Sequence, residues 1–538
     1  MDSLMIRQDR KLRRVSLMMI AFMLVTNLMA QEPQNVLFIA IDDLKAIGSL
    51  YSEEDADLLR HIYPDDDLRR EVVARMTPNL QRLADQSVTF MNAYSASPAC
   101  NPSRASLMTG IRPHRSGLIA NEGGHFFRKW EYQGIRHLEN AVTLSGLLKN
   151  NGWYTAETGK IFHRVGDFDA ADGNRSWTDW TYVQENAGET VRSKWSHPAL
   201  KWGVQGGPAA TVNEHNDLRA TDFIARMMEN GKAKNDGTTF KLPKDKPFFL
   251  ACGIYKPHLP FVTTQDMLEL FPVEEMNVTR ELLEYFVNDI MDIPPLGQRF
   301  TGGAIDDHGD PVLGRDRFVE MLKHGLSLDP EDGDLKGWKD MLMHYFACVA
   351  TADRAVGRLL DGLEKSPFAD KTMVILWSDH GYHLGEKLHV SKFTFWDDAA
   401  RVYFIIKDPR NPQSTGQLCY QPVSLMDIYP TVARMAGLAL PDERITGRDL
   451  FPLLKEPATG WSAPAHTTFR TPDSHMVRDD RYKLIRYEND NTQVELYDML
   501  YDGEEYYNLV DVPGYAKIVE HMKSMMQTAI DEGEFKGE

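Results

Sequence analysis

Short apolar runs that end in chemically competent side chains recur along this chain of 538 residues. NVLFIAIDD ends in Asp42 and Asp43. WYTAETGKIFH runs into Lys160 and His163, PFFLACGIYKPHLPF into Lys256 and His258, and TMVILWSDHG ends in Asp379 and His380. A paired Asp after a strand is by itself more often a turn or a helix cap, and a His beside Pro more often structural. Four polar endings together are harder to dismiss. Three carboxylates with one neutral side-chain acceptor make a hard, oxygen-rich site, suited to Ca2+ or Mg2+ more than to zinc. Two lysines and two histidines beside such an ion suit an oxyanion: the ion and the lysines hold its charge, and the histidines move protons.

Cys100 stands in SPACNPSRASLMTG, with no disulfide partner, zinc pair or activating base near it in sequence. Asn101 reads as an N-cap and Pro102 as the first helical residue, which puts Cys100 just ahead of a helix N-terminus, where backbone amides favour anions. The other cysteines are less demanding. Cys252 and Cys348 lie in apolar surroundings and read as small buried residues, and Cys419 is uninformative.

The elements that must position these groups follow from periodicity. Fully apolar runs bounded by turn residues read as buried strands of the parallel-sheet type. They alternate with helical patterns at TPNLQRLADQ, at LENAVTLSGLLKNNG and over 338–365, which predicts an α/β fold with a largely parallel sheet flanked by helices. SVTFMNAYS reads as one more strand. Residues 165–245 and 262–335, rich in Gly, Asp, Asn and Pro, read as long insertions. The tail reads differently: DRYKLIRYEND and TQVELYDML as antiparallel strands and a helix from about 513, a smaller α+β subdomain over 458–538.

The first 30 residues combine a basic start, the uncharged apolar run VSLMMIAFMLVTNLMA and a small-residue end, which reads as a secretory signal peptide, leaving 31–457 as the catalytic domain. An uncleaved anchor is the bland alternative, and the run is near the short end for a spanning helix. The segment carries five Lys/Arg and two Asp/Glu, so its removal takes the net charge from −18 to −21. An acidic exported protein, periplasmic or secreted, is a poor nucleic-acid binder.

CNPSRASLMTG resembles the signature of the type I, formylglycine-dependent sulfatases, with its C-x-P-S-R core and Thr109-Gly110 extension. NVLFIAIDDL, ETGKIFH, YKPHLPF, SDHGYHLGEK…SKFTFWDDAARV, SLMDIYPTVARMAGL and ELYDMLYDGEEYYNLV are similar to further segments of that family, so the resemblance spans nearly the whole mature chain. GKIFH and KPHLPF point to its iduronate-2-sulfatase-like branch. The resemblance implies an alkaline-phosphatase-like fold and oxidation of Cys100 to formylglycine (3-oxoalanine) by a formylglycine-generating or anaerobic sulfatase-maturating enzyme. It also implies one Ca2+ held by Asp42, Asp43, Asp379, His380 and an oxygen on residue 100. By position, Arg104 would orient the hydrate, Lys160 and Lys392 would grip sulfate, and His163 and His258 would move protons. The implied substrate is a sulfated carbohydrate, with a 2-O-sulfated uronate or related sugar first, cleaved by an exo-acting enzyme. A phosphatase or phosphonate hydrolase of the same superfamily and an inactive glycan-binding relative are the alternatives. Val390-Ser391 before Lys392, Tyr403 in RVYFII, and the extended loop over 52–76 depart from the family's pattern without removing a chemical group, at places where a change would alter substrate selection more than reaction type. His125, Arg128 and Trp130 are candidate sugar contacts, with a solvated loop at least as good a reading.

Overall fold

The computed structural model describes residues 35–54, 57–121, 141–163, 175–181, 215–302 and 335–532, with short pieces at 138, 202–204, 212, 304–305 and 311–312. The apolar run over 15–30 and His125, Arg128 and Trp130 lie outside the described residues. Among the described residues, no helix is long and apolar enough to cross a membrane.

Asn35–Asp42 lies inside an eight-stranded sheet whose order is Gln417–Cys419, Val88–Phe90, Phe404–Lys407, Thr372–Ser378, Asn35–Asp42, Phe248–Pro257, Tyr154–Gly159 and Asp179–Thr181. It pairs parallel with both neighbours. Every one of its residues is buried, as an apolar run with both faces covered must be. Leu37, Ile39 and Ile41 face the layer of helices Asn216–Asn230 and Lys336–Glu364, while Val36, Phe38 and Ala40 face Cys100–Thr109, Leu144–Asn150 and Ile428–Met435. The sheet is mixed. Phe404–Lys407 runs antiparallel to both its neighbours, and the other pairings are parallel.

Several expected boundaries shift for local reasons. The helix read from LENAVTLSGLLKNNG begins only at Leu144, because Thr143 takes an extended conformation and its side chain accepts from the Gly146 amide. SVTFMNAYS divides into Val88–Phe90 and Ala93–Tyr94. The supposed insertion over 165–245 contains a core element, the 15-residue helix Asn216–Asn230, which buries Leu218, Phe223, Ile224, Met227 and Met228 against the long helix. Its Asp, Arg and Asn residues, all on the outer face or at the ends, masked the apolar stripe. The tail carries four antiparallel strands where two were expected: Ala465–Thr468, His475–Arg478, Tyr482–Arg486 and Val494–Asp498. The helix Ala516–Asp531 covers them through Val519, Met522 and Met526.

Candidate active site

The polar endings meet because their strands are neighbours in register. Ile41 pairs with Ser378, so Asp42 and Asp43 emerge beside Asp379 and His380. Asp43 takes a left-handed backbone (φ 59°), uncommon for a residue with a side chain. Two contacts hold it, and a third fixes the hydroxyl that makes one of them. Its amide donates to Asp379 Oδ1 at 3.1 Å, its carbonyl accepts from Tyr345 Oη at 2.8 Å, and the same hydroxyl accepts from the Lys45 amide at 3.0 Å. Gly159 and Gly253 face each other across the next strand pair, and a Cβ on Gly159 would lie 1.9 Å from the Gly253 carbonyl oxygen. This close approach brings Lys160 to the sheet end, where Nζ donates to Asp42 Oδ2 at 2.5 Å.

Cys100 is fully buried and is itself the first residue of the helix Cys100–Thr109. The expected cap at Asn101 is therefore corrected. Ala99 is the N-cap and uses no side chain. Pro102 falls in the first turn, where its missing N–H costs nothing. Ser103 ties the helix to the sheet by donating to the Asp379 carbonyl at 2.6 Å. Arg104, also fully buried, sits behind the carboxylates. Nε donates to Asp379 Oδ2 and a terminal nitrogen to Asp42 Oδ1, each at 2.8 Å. The other terminal nitrogen donates to the carbonyls of Lys160 and Ile161. It braces the acids, so any orienting of residue 100 passes through them.

Around the sulfur, Lys392 Nζ lies 2.9 Å away and also donates to Asp43 Oδ1 at 2.9 Å. His380 Nε2 is 3.2 Å from the sulfur and Asp43 Oδ1 is 3.9 Å from it. His163 hydrogen-bonds the thiol. His258 Nε2 stands 4.0 Å from Asp43 Oδ2, with Nδ1 bonded to the Leu259 carbonyl at 2.6 Å. Burial would raise the Cys100 thiol, but Lys160, Lys392 and His380 outweigh it and hold it well below the usual range. Burial with the neighbouring charges of Asp42 and Cys100 outweighs Arg104 and His380 and pushes Asp379 up to about 6. Burial pushes His380 down, while Asp379 and Cys100 lift it to about 9. All ten site residues expected from sequence thus come together at one end of the sheet: Asp42, Asp43, Cys100, Arg104, Lys160, His163, His258, Asp379, His380 and Lys392. Lys256 does not join them; its Nζ donates to the Pro260 carbonyl at 2.8 Å.

Side-chain atoms of Asp43, Cys100, Asp379 and His380 lie within 4.8 Å of one another, as do those of Asp42, Asp43 and His258. Three buried carboxylates and the His380 ring thus stand as a candidate set of cation ligands. The oxygen-dominated donor set fits an ion of the Ca2+ or Mg2+ class.

Three supporting residues had no local signal in sequence. Tyr345 buttresses Asp43 from the long helix. The Tyr255 ring lies 5.2 Å from Lys160 Nζ and 5.6 Å from Lys256 Nζ. Asp217 accepts from the Tyr255 amide through one oxygen and from the Lys256 amide through the other, each at 2.9 Å. It thereby fixes the backbone that leads into His258. Tyr403 has a structural reason for its departure: its hydroxyl donates to the Ile47 carbonyl and its ring stands edge-on to Tyr51 at 5.0 Å, holding down the loop after the first strand.

The sulfatase family model matches residues 34–438, and a model described as N-sulphoglucosamine sulphohydrolase, C-terminal, matches 385–532. A sulfatase of Formosa agariphila is 28% identical over 504 residues, covering 92% of this chain and 86% of the other. Iduronate 2-sulfatase of Homo sapiens is 27% identical over 441 residues, covering 76% and 70%. In fold, the phosphonate monoester hydrolase of Agrobacterium radiobacter superposes with a TM-score of 0.65 at 18% identity, covering 93% and 96%.

Proposed function

The chain belongs to the sulfatase family, and from that premise we propose that this sulfuric ester hydrolase acts on carbohydrate, as an exo-enzyme on a 2-O-sulfated uronate or related sugar of a sulfated polysaccharide. In this reading residue 100 is formylglycine, one Ca2+ is bound, and the protein is exported. The observation that carries it is the position of Cys100, its sulfur 2.9 Å from Lys392 Nζ and 3.2 Å from His380 Nε2 beside three carboxylates. The sulfur stands in for one oxygen of an aldehyde hydrate. The likeness to human iduronate 2-sulfatase supports the sugar class.

Asp42, Asp43, Asp379 and His380 would hold the Ca2+, which supplies charge neutralisation of the sulfate oxygens. Oxidised and hydrated, residue 100 supplies two hydroxyls on one carbon: one attacks sulfur, passing its proton to the adjacent carboxylates as the sugar oxygen leaves, and loss of the other's proton expels the sulfate by C–O cleavage and restores the aldehyde, which water hydrates again. Lys160, paired with Asp42, and Lys392, against residue 100 and Asp43, neutralise the sulfate oxygens. His163, bonded to residue 100, accepts the proton of the second hydroxyl. His258, with Nδ1 tied to the Leu259 carbonyl, points Nε2 toward Asp43 and the leaving-group side, where it delivers a proton to the sugar oxygen. Arg104 keeps Asp42 and Asp379 in place throughout.

The test is peptide mass analysis of residue 100 in protein co-produced with a maturation enzyme, beside parallel assays on aryl sulfate and aryl phosphate. An aldehyde-reactive residue 100, dominant sulfate turnover and no turnover in Cys100→Ala are expected. Full turnover with an intact thiol, or dominant phosphate turnover, overturns the reading. The Agrobacterium phosphonate hydrolase shares the fold, which is why the phosphate arm is needed.

A further inference from the structure

A second group of metal-ligating side chains lies away from the catalytic residues, where the C-terminal sheet meets the body of the molecule. Thr468 pairs with His475 and His466 with Val477 across two antiparallel strands, so His466, Thr468 and His475 share one face. His114 approaches that face from the short helix Pro113–Ser116, and Ile530 from the C-terminal helix. One ring nitrogen from each histidine lies within 4.8 Å of the other two. His466 Nε2 is 3.1 Å from His475 Nδ1. Thr468 Oγ1 is 3.2 Å from His475 Nδ1 and 3.2 Å from His114 Nδ1. Two imidazole nitrogens on one tetrahedral ion, each at about 2.0–2.1 Å, sit roughly 3.3 Å apart, close to the separation seen.

Two of the three rings carry the outward support that metal sites supply. His114 Nε2 bonds the Ile530 carbonyl at 3.2 Å and the His475 ring bonds the Pro472 carbonyl. A ring N–H committed to a carbonyl leaves the inner nitrogen as a lone pair, the arrangement that orients metal-ligating histidines. His466 is 1% exposed, and its Nδ1 is buried without a hydrogen-bond partner. Arg112, Arg115 and Arg486 surround the cluster. Arg112 turns to the His466 carbonyl and to Glu532, and Arg115 to the Ile530 carbonyl; Asp427 and Asp473 are the other acids near these guanidiniums. The three ligand atoms are all imidazole nitrogens with no carboxylate among them, a donor set that suits Zn2+ and similar ions more than Ca2+ or Mg2+.

We propose that His114, His466 and His475 form a transition-metal site, for Zn2+ or another imidazole-preferring divalent ion, which ties the segment after the catalytic helix to the C-terminal sheet and helix. The full chain, stripped with chelator and then kept in excess Ca2+ to fill the carboxylate site, is titrated with Co2+ for absorbance and with Zn2+ for bound metal. Wild type is expected to take one equivalent more than His114→Ala, with tetrahedral Co2+ bands and a raised melting temperature. His114→Ala loses more than about 100-fold in affinity, beyond the cost of losing a supporting partner, with aryl sulfate turnover unchanged. His114→Gln guards against misfolding of the alanine variant. Equal uptake by wild type and both variants, or no uptake by wild type, overturns the proposal.

Discussion

Arg104→Met tests how the carboxylate cluster is held together. The guanidinium is fully buried, with 2.8 Å bonds to Asp42 and Asp379 and further bonds to two carbonyls. Methionine fills a similar volume and supplies none of these. Removing one partner of a buried ion pair typically costs about 3–5 kcal/mol, because the remaining charge is stranded. A unit charge pair at about 4 Å is worth roughly 4 kcal/mol at an effective dielectric of 20, so two carboxylates put the loss at the upper end. A bound divalent cation shares the same carboxylates and takes over part of the lost neutralisation. The loss is therefore expected to be largest in chelator and to shrink by at least ~1 kcal/mol in saturating Ca2+, with Ca2+ bound more tightly by the variant than by wild type. Arg104→Lys falls between, since an ammonium cannot span both acids. Denaturant unfolding with and without Ca2+ is the assay, and it does not depend on whether residue 100 has been oxidised. A loss below ~1 kcal/mol, or one identical in both media, refutes the bracing role.

Two further predictions concern groups behind the site. Asp217→Ala frees the Tyr255 and Lys256 amides and loosens the backbone leading to His258; kcat should fall by about 10–100-fold with a smaller change in KM, and Asp217→Asn, which keeps one acceptor, should recover part of it. Equal kcat in both variants and wild type would show that the loop needs no such anchor. Glu157, on Tyr154–Gly159, is buried and burial alone raises its carboxyl well above the usual range. The folded state therefore holds its proton at pH values where the unfolded chain, at about 4.3, has lost it, and this destabilises the fold increasingly as pH rises from there. Glu157→Gln should stabilise the protein at pH 7 and make no difference at pH 3.5; a gain that is flat with pH would rule out the titration as its source.

The chemistry of this chain was legible because strand ends are local. Each apolar run announces where it stops, and parallel register then brings Asp42, Asp43, Lys160, His258, Asp379 and His380 together without any further information. The contacts that hold those residues were not legible, since each joins segments far apart in sequence: Tyr345 to Asp43, Asp217 to Tyr255, Arg104 to the carbonyls after Gly159. The start of the catalytic helix was misread because Asn-Pro has the composition of a cap, while a proline anywhere in a first turn is equally comfortable. The strands Ala465–Thr468 and His475–Arg478 escaped notice because AHTT and HMVR carry too little apolar alternation to stand out; their inner face is lined in part by histidine.

The complete enclosure of Cys100 bears on the order of events in the life of the polypeptide. A side chain with no accessible surface, locked behind Lys392 and His380, cannot be presented to another enzyme. If this thiol is to be oxidised, the reaction has to happen while the chain is still open. Copies that close too early would keep their sulfur for good, so a cell could set the yield of working molecules by a race between two clocks rather than by how much polypeptide it makes.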